Sequence, residues 1–238
     1  MTQLLRARGI TAVELSLDDF YLTRRQRAVL AQRVHPLLAT RGVPGTHDVT
    51  LALEVIASLQ REGEVALPSF DKVSDDRRAP AAWRRVRAPV QVIVFEGWCL
   101  GASPQSSAAL VQPINALEEA EDADGAWRRG VNAALAGEYQ ALFATLDELV
   151  FLAAPSFDVV QQWRLEQETG LRRLAAEQGV ERSRMMDDAA LARFVSHFER
   201  LTRHMLDCMP ERADFVVQLD SARAMTLLPA ALDEPREQ

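Results

Sequence analysis

The stretch VELSLDDFYL, residues 13–22, joins a strand pattern to a pair of acids. Its first residues alternate apolar and polar side chains, which is the period-two pattern of a β-strand. Asp18 and Asp19 follow at the point where that strand should end. Acids at the carboxyl end of a strand are typical of ligand sites in open α/β sheets. The stretch therefore predicts a strand over residues 12–17 that leads into such a site.

Three continuous apolar runs follow along the chain, and they suit strands that are buried on both faces of a parallel sheet. They cover residues 90–95, 148–153 and 214–219. Between the strands, apolar residues recur at three- and four-residue spacing, which predicts helices over 24–39, 49–62, 126–146, 157–177 and 187–208. Strands that alternate with helices predict a three-layer α/β fold with right-handed crossovers.

Charged residues follow several of the predicted strands. Glu96 comes directly after the second run, and residues 220–223 follow the fourth. Carboxylates at one edge of a sheet suit a magnesium ion and the activation of a hydroxyl group, as in phosphoryl transfer. Each acid taken singly is more often a helix N-cap or a surface residue. The group of acids, rather than any one of them, therefore indicates a site.

Two polar loops lie between the first two predicted strands. RGVPGTHD, residues 41–48, has the glycines and proline of a shaped loop. LPSFDKVSDDR, residues 67–77, holds charges of both signs, which is equally typical of a solvated surface. It contains Lys72, the only lysine among 27 basic residues. A lysine retained where arginine is otherwise used can indicate a need for a compact charge, although chance explains one lysine nearly as well.

Composition limits the classes of function. The 238 residues are 48% apolar and carry a formal net charge of -7, which argues for a globular protein with small-molecule partners and against a nucleic-acid binder. Two cysteines form no disulfide framework or metal-ligand spacing, so we expect a reducing cytoplasm. No apolar run approaches the roughly 20 residues that span a membrane. The acidic stretch 116–127 is interpreted as a solvated loop or helix end.

The chain resembles the plant-type D-glycerate 3-kinases and their bacterial relatives, which belong to the P-loop kinases together with uridine and pantothenate kinases. The resemblance rests on a series of motifs in the family's order that covers nearly the whole chain: SLDDFYL, RGVPGTHD, LPSFDKVSDDR, VIVFEGW, QPINALE with DGAWR, WRLEQE, MMDDAALARFVSHFERLT and LDSAR. It implies one kinase-like domain over residues 1–238, built on a three-layer parallel sheet with a helical lid over about 160–200.

The resemblance also implies the reaction, which is transfer of the γ-phosphoryl group of ATP to a hydroxyl of D-glycerate with Mg²⁺. Asp18 matches the acid that orients the acceptor hydroxyl and takes its proton, and Glu96 matches an acid beside the phosphates and the metal. Both are expected as metal ligands, and Lys72 as a catalytic cation. The loops that face the acceptor carry the expected substrate-binding residues His47, Asp48, Asp71 and Arg77.

The lid is expected to bring arginines to the nucleotide. Arg164, Arg172 and Arg223 are the expected cofactor-binding residues, and Arg164 is also expected to stabilise the transferring charge. The alternative is that the lid arginines form exposed i,i+4 pairs with neighbouring glutamates, which we expect for Arg173 more than for Arg164.

One part of the family pattern is absent from these 238 residues. They contain no phosphate loop G-x-x-x-x-G-K-[ST], and the family's first, central strand is missing with it. Residues 2–9 are interpreted as the rest of the helix that follows that loop. We expect Met1 to be an internal methionine of a longer, active kinase. The alternatives are a binding or regulatory remnant that holds ATP weakly, or a P-loop kinase for a nucleoside, pantothenate or another small alcohol.

Overall fold

The structure is a computed structural model that describes residues 1–177 and 187–228. The chain forms two compact units. Residues 1–112 and 121–145 make the first unit, and residues 113–120 and those from 146 onward make the second. Part of the expected lid, residues 178–186, lies outside the described residues.

The strands in chain order are β1 (Ala12–Ser16), β2 (Gly63–Leu67), β3 (Phe70–Asp71), β4 (Asp76–Arg77), β5 (Arg84–Ala88), β6 (Val92–Glu96), β7 (Val150–Ala153), β8 (Phe215–Leu219) and β9 (Met225–Leu227). The helices are α1 (Thr2–Ala7), α2 (Arg24–Arg33), α3 (Val49–Leu59), α4 (Ala116–Glu121), α5 (Ala126–Ala136), α6 (Glu138–Phe143), α7 (Phe157–Glu177) and α8 (Asp188–Cys208). Each of the four strands predicted from the sequence is present, within two residues of the expected ends. No helix in the described ranges is both long enough and apolar enough to cross a membrane.

The first unit is built around the parallel pair β1 and β6. Their register runs from Ala12 opposite Val92 to Ser16 opposite Glu96, so the two strands end together. Most apolar side chains of β1 are buried, and α3 contributes a further buried apolar face. The predicted parallel arrangement of these two strands is confirmed.

Two predicted helices of this unit are shorter than expected. The helix predicted over 24–39 ends at Arg33, and a separate 3₁₀ turn begins at Pro36, because proline disfavours helical geometry in the preceding residue. The helix predicted over 126–146 divides into α5 and α6 at Gly137, whose φ of -97° and ψ of -111° are not helical.

The first unit also contains two antiparallel strand pairs that the sequence pattern did not predict. β2 pairs with β5 and β3 pairs with β4, both in antiparallel register. β5 carries three arginines in five residues, and β3 and β4 are two residues long. β3 and β4 are too short to show a pattern, and in β2 and β5 the alternation is confined to two apolar pairs, Val65 with Leu67 and Val86 with Ala88. Residues 67–77, interpreted as a loop, fold back on themselves as the β3–β4 hairpin.

In the second unit, β8 pairs with β7 in parallel and with β9 in antiparallel register. The helices α7 and α8 share an apolar cluster of Phe157, Leu191 and Val195. In the described residues, the pairs β1–β6 and β7–β8 belong to separate sheets. The two separate parallel pairs agree with the expected α/β fold that lacks its central strand.

The interpretation of residues 116–127 as a solvated loop or helix end holds for only part of the stretch: α4 ends within it and residues 119–121, 123 and 124 are exposed, but two of its acids are buried. Glu118 is fully buried in the second unit and accepts two hydrogen bonds from Arg200, at 2.7 and 2.6 Å. Asp122 is buried in the first unit and pairs with Arg128 at 3.0 Å. The sequence pattern could not show this, because the arginine that neutralises Glu118 lies 82 residues away.

Candidate active site

The carboxyl ends of β1 and β6 bring the two expected metal ligands to one edge of a sheet. Asp18 lies in the 3₁₀ turn Leu17–Phe20 directly after β1, and Glu96 is the last residue of β6. Gly97 allows the two ends to approach, because a Cβ built at this glycine would lie 2.6 Å from the Cβ of Leu17. The expected convergence of Asp18 and Glu96 at one rim is therefore present.

Asp18 is held by two hydrogen-bond donors. The Lys72 ammonium donates to one carboxylate oxygen at 2.6 Å, and the Tyr21 hydroxyl donates to the other at 2.8 Å. Burial raises the pKa of Asp18, but hydrogen bonds from Lys72 and Tyr21 and the lysine charge outweigh it, so the net shift is downward. Burial, followed by the Asp18 charge, raises the pKa of Tyr21. Asp18 is therefore an ionised carboxylate beside a neutral phenol.

Two arginines hold the β3–β4 turn, which carries Lys72. Arg27, almost completely buried, bonds both the backbone carbonyl and the carboxylate of Asp75, and Arg41 bonds the other carboxylate oxygen. Asp75 has a φ of 55°, a left-handed conformation that few residues other than glycine adopt. Both guanidinium groups also lie over the ring of Phe70 at the start of this hairpin. The lysine thus projects from a firmly held hairpin.

Asp48 and Arg77, both expected to bind substrate, contact each other. Two nitrogens of Arg77 reach the same carboxylate oxygen of Asp48 at 3.1 Å, and the guanidinium also donates to the Tyr21 carbonyl. The other Asp48 oxygen caps helix α3 at the amide of Leu51. Arg77 therefore connects the loop before α3 to the turn after β1.

His47 is buried in the loop 41–48, with 3% of its surface exposed. Its ring stacks on Tyr21 at 4.5 Å between centroids, and its Nδ1 lies 2.6 Å from the hydroxyl of Tyr139. Burial lowers the pKa of His47 to about 3, against a smaller opposing effect of the Asp18 charge. At neutral pH the ring is uncharged. It contacts Tyr21, whose hydroxyl in turn donates to the Asp18 carboxylate.

The remaining acids of the two loops have local structural partners. Asp71 accepts from the amide of Val73 in the β3–β4 turn, and that bond lowers its pKa. Asp19 accepts from the amide of Phe70 and so joins the turn after β1 to the start of the hairpin. The two adjacent acids of VELSLDDFYL thus have different environments: Asp19 accepts a hydrogen bond from a backbone amide, whereas Asp18 accepts hydrogen bonds from side chains.

The expected nucleotide-binding arginines belong to the second unit, where each has an acidic partner. Arg164 pairs with Glu168 at 3.5 Å, so the i,i+4 pair considered as the alternative is present. Arg172 bonds Asp188 at 2.7 Å, and Arg223 bonds Glu166 at 2.8 Å. Arg223 has a φ of 66° and its guanidinium lies over the ring of Trp163. Whether these arginines bind nucleotide remains a prediction.

The donor set at the strand edge fits Mg²⁺. In kinases this ion is usually held by one or two carboxylates and completes its octahedron with water and phosphate oxygens. Asp18 and Glu96 supply two hard oxygen donors, and no larger group of potential metal ligands is present in the described parts of the chain. The remaining ligands would therefore have to come from the nucleotide and from solvent.

Several residues of the site were not found from the sequence. Tyr21, three residues after Asp18, could have been found because a 3₁₀ turn places residues i and i+3 on the same side. Tyr139 gives no sequence signal, since it lies 92 residues from His47. Cys99, by contrast, is the small buried apolar residue that an unpaired cysteine predicts: it is buried, and burial raises the pKa of its thiol to about 12.

The chain is similar to known kinases in sequence. The uncharacterized kinase mug58 of Schizosaccharomyces pombe is 33% identical over 207 residues, which cover 83% of this chain and 70% of that protein. The chloroplastic D-glycerate 3-kinase of Arabidopsis thaliana is 32% identical over 168 residues, which cover 66% of this chain but only 34% of the plant enzyme. The chain therefore spans about a third of the length of this second relative. No protein-family model matches the chain.

A solved structure agrees with these relatives. The D-glycerate 3-kinase of Cryptococcus neoformans superposes with a TM-score of 0.73 at 25% identity, covering 95% of this chain and 83% of that protein. The sequence relatives and the superposed structure together identify the chain as a kinase. Within that class, the chain belongs to the family of the D-glycerate 3-kinases and their fungal and plant relatives.

Proposed function

We propose that this protein is an ATP-dependent kinase that phosphorylates a hydroxyl of D-glycerate. The observation that carries the proposal is the ionised carboxylate of Asp18, which is held by Lys72 and Tyr21 at the same strand edge as Glu96. Phosphoryl transfer needs positioning and charge neutralisation more than covalent chemistry, and these side chains can supply both. The names of the plant and Cryptococcus relatives support D-glycerate as the acceptor.

Asp18 is the proposed base. Each of its two oxygens accepts one bond from Lys72 or Tyr21, and a carboxylate oxygen has room for a second donor. The acceptor hydroxyl would fill one of these positions, which directs its oxygen toward the phosphorus. Because the pKa of Asp18 is lowered, the carboxylate takes the proton late, when the alcohol becomes acidic as its bond to phosphorus forms.

Asp18 and Glu96 are the proposed ligands of Mg²⁺. The ion, when bound with the nucleotide, would neutralise charge on the phosphate oxygens. Lys72 would hold the acceptor end of the site: its side chain is 61% exposed, so its ammonium can turn from Asp18 toward the acceptor carboxylate. The acceptor would be bound by His47, Asp48, Asp71 and Arg77. The nucleotide would be bound by Arg164, Arg172 and Arg223.

Turnover, in this proposal, requires a phosphate-binding loop that the 238 residues do not contain. Lys72 stands between Asp71 and Val73, so the chain's lysine is not part of a GK[ST] motif. In the described residues β6 pairs with β1 alone and β7 with β8 alone, which leaves an open edge on each. Leu152 of β7 is 58% exposed, an apolar surface that a further element would cover. We propose a cytoplasmic location, in keeping with the free cysteines.

Two experiments test the proposal. The first reads the DNA upstream of the Met1 codon in frame: an apolar strand followed by a GK[ST] loop supports it, whereas an immediate stop codon favours a binding role without turnover. The second incubates the chain carrying such a loop with MgATP and D-glycerate, L-glycerate, uridine or pantothenate. The expected result is phosphorylation of D-glycerate, with the 3-phosphate as the product by NMR. Turnover of uridine or pantothenate but not glycerate would refute the assigned acceptor.

A further inference from the structure

Tyr139 has no role in the proposed reaction, yet its hydroxyl contacts two polar groups of the loop 41–48. The side chain is fully buried at the start of α6. Its oxygen accepts a hydrogen bond of 3.0 Å from the amide of Gly45 and lies 2.6 Å from Nδ1 of His47. Gly45 has a φ of 95°, a conformation that only glycine adopts without strain. The buried Tyr139 hydroxyl thus contacts the loop both at Gly45 and at His47.

The hydrogen positions in this group follow from counting donors. The Gly45 amide must donate, so it occupies one lone pair of the Tyr139 oxygen. If Nδ1 of His47 also donated, the hydroxyl hydrogen would have no acceptor in a fully buried position. If the hydroxyl donates to Nδ1, the Gly45 amide, the hydroxyl and Nδ1 are all satisfied. The neutral ring then carries its own hydrogen on Nε2.

That hydrogen is available to a ligand. Nε2 of His47 has no hydrogen-bond partner among the described residues. The ring stacks on Tyr21, whose hydroxyl bonds Asp18, so it lies beside the proposed base. A neutral N–H donor in this position suits an oxygen of the acceptor, either its hydroxyl or its carboxylate.

We propose that Tyr139 is a positioning residue, which fixes the neutral ring of His47 in the tautomer with hydrogen on Nε2 and so makes it a hydrogen-bond donor to an acceptor oxygen. The proposal deepens the proposed function and rests on it for the identity of the acceptor. The tautomer itself is a property of the folded chain and can be measured without any substrate.

The first test is long-range ¹H–¹⁵N NMR of the histidine rings in the 238-residue chain at neutral pH, with His47 assigned by its loss in His47→Gln. We expect a protonated Nε2 and an unprotonated Nδ1. In Tyr139→Phe the two nitrogen shifts should move toward each other, as the tautomers mix. Tyr21→Phe, which removes a neighbouring hydroxyl that does not bond the ring, should leave them unchanged. A wild-type spectrum with hydrogen on Nδ1 would overturn the proposal, even if the Tyr139 variant does not fold.

The second test uses steady-state kinetics of the chain that carries a phosphate loop. Tyr139→Phe should raise KM for D-glycerate by up to about tenfold, the equivalent of one hydrogen bond, with a smaller change in kcat. In a His47→Gln background the same substitution should change KM by less than about twofold, because its effect passes through the ring. An equal effect in both backgrounds would contradict the proposal. If D-glycerate is not phosphorylated at all, the proposed function fails, and the NMR result still decides the role of Tyr139.

Discussion

The buried ring of His47 should make the stability of this protein depend on pH in a way that can be calculated. In the folded chain burial lowers the pKa of His47 to about 3, whereas an exposed histidine has a pKa of 6.5. The unfolded chain therefore binds a proton first as the pH falls. Stability is fully present above the unfolded pKa, declines below about pH 6.5, and goes on declining until the folded pKa is reached.

The magnitude follows from proton linkage. Between pH 7 and pH 5, an unfolded pKa of 6.5 with no protonation of the folded ring predicts a loss of about 1.9 kcal/mol in the free energy of unfolding. That loss is a substantial part of the roughly 5–15 kcal/mol by which domains are stable. Removing the ring should remove this contribution and leave the pH dependence of all other groups in place.

The assay is urea unfolding at several pH values between 7 and 5, followed by tryptophan fluorescence, for wild type, His47→Gln and His47→Asn. Both variants should be less stable at pH 7, by different amounts because their packing differs. Both should nevertheless lose about 1.9 kcal/mol less than wild type on going to pH 5. Parallel pH profiles for the three proteins would refute the conclusion that the ring is neutral and buried.

Two further predictions concern the cations of the site. Lys72→Met removes a donor and a positive charge from Asp18, so the pKa of that carboxyl should rise and the acidic limb of the kcat/KM profile should move to higher pH. The free energy of unfolding of this variant should change by no more than about 1 kcal/mol, because the Lys72–Asp18 pair is partly exposed. A larger loss of stability, without a shift of the acidic limb, would contradict the role of Lys72 in lowering the pKa of Asp18. Arg77→Met should cost about 2–4 kcal/mol in urea unfolding, since it leaves one oxygen of the Asp48 carboxylate and the Tyr21 carbonyl without the arginine donor. The exposed neighbour Arg78→Met is the matched control, and equal losses for the two arginines would contradict the argument.

The sequence predicted well the features that depend on local patterns. Each predicted strand shows its own pattern, alternating in β1 and mostly apolar in the other three, and acids directly after β1 and at the end of β6 meet when two parallel strands end in register. Helix ends were less predictable: a proline and a glycine ended two helices, although apolar spacing continued beyond them. Local chemistry decided these boundaries, and the apolar spacing alone did not reveal them.

Contacts between distant residues could not be predicted. Asp48 and Arg77 were each interpreted as substrate ligands, but the fold pairs them with each other across 29 positions. The buried acid Glu118 looked solvated because its partner Arg200 lies on another helix. In each case a charge is neutralised by a residue that only the tertiary structure brings near, and a single sequence carries no signal of that pairing.

Asp18 is the proposed group that accepts the proton of the acceptor hydroxyl. The most direct test compares kcat for D-glycerate and MgATP in wild type, Asp18→Asn and Asp19→Asn, each in the chain that carries a phosphate loop. Asp19 is a matched control because an amide oxygen can still accept from the Phe70 amide. We predict that Asp18→Asn lowers kcat by about 10²–10⁴-fold, with a much smaller change in ATP affinity, and that Asp19→Asn retains most of the activity. Equal turnover by wild type and Asp18→Asn would contradict the assignment.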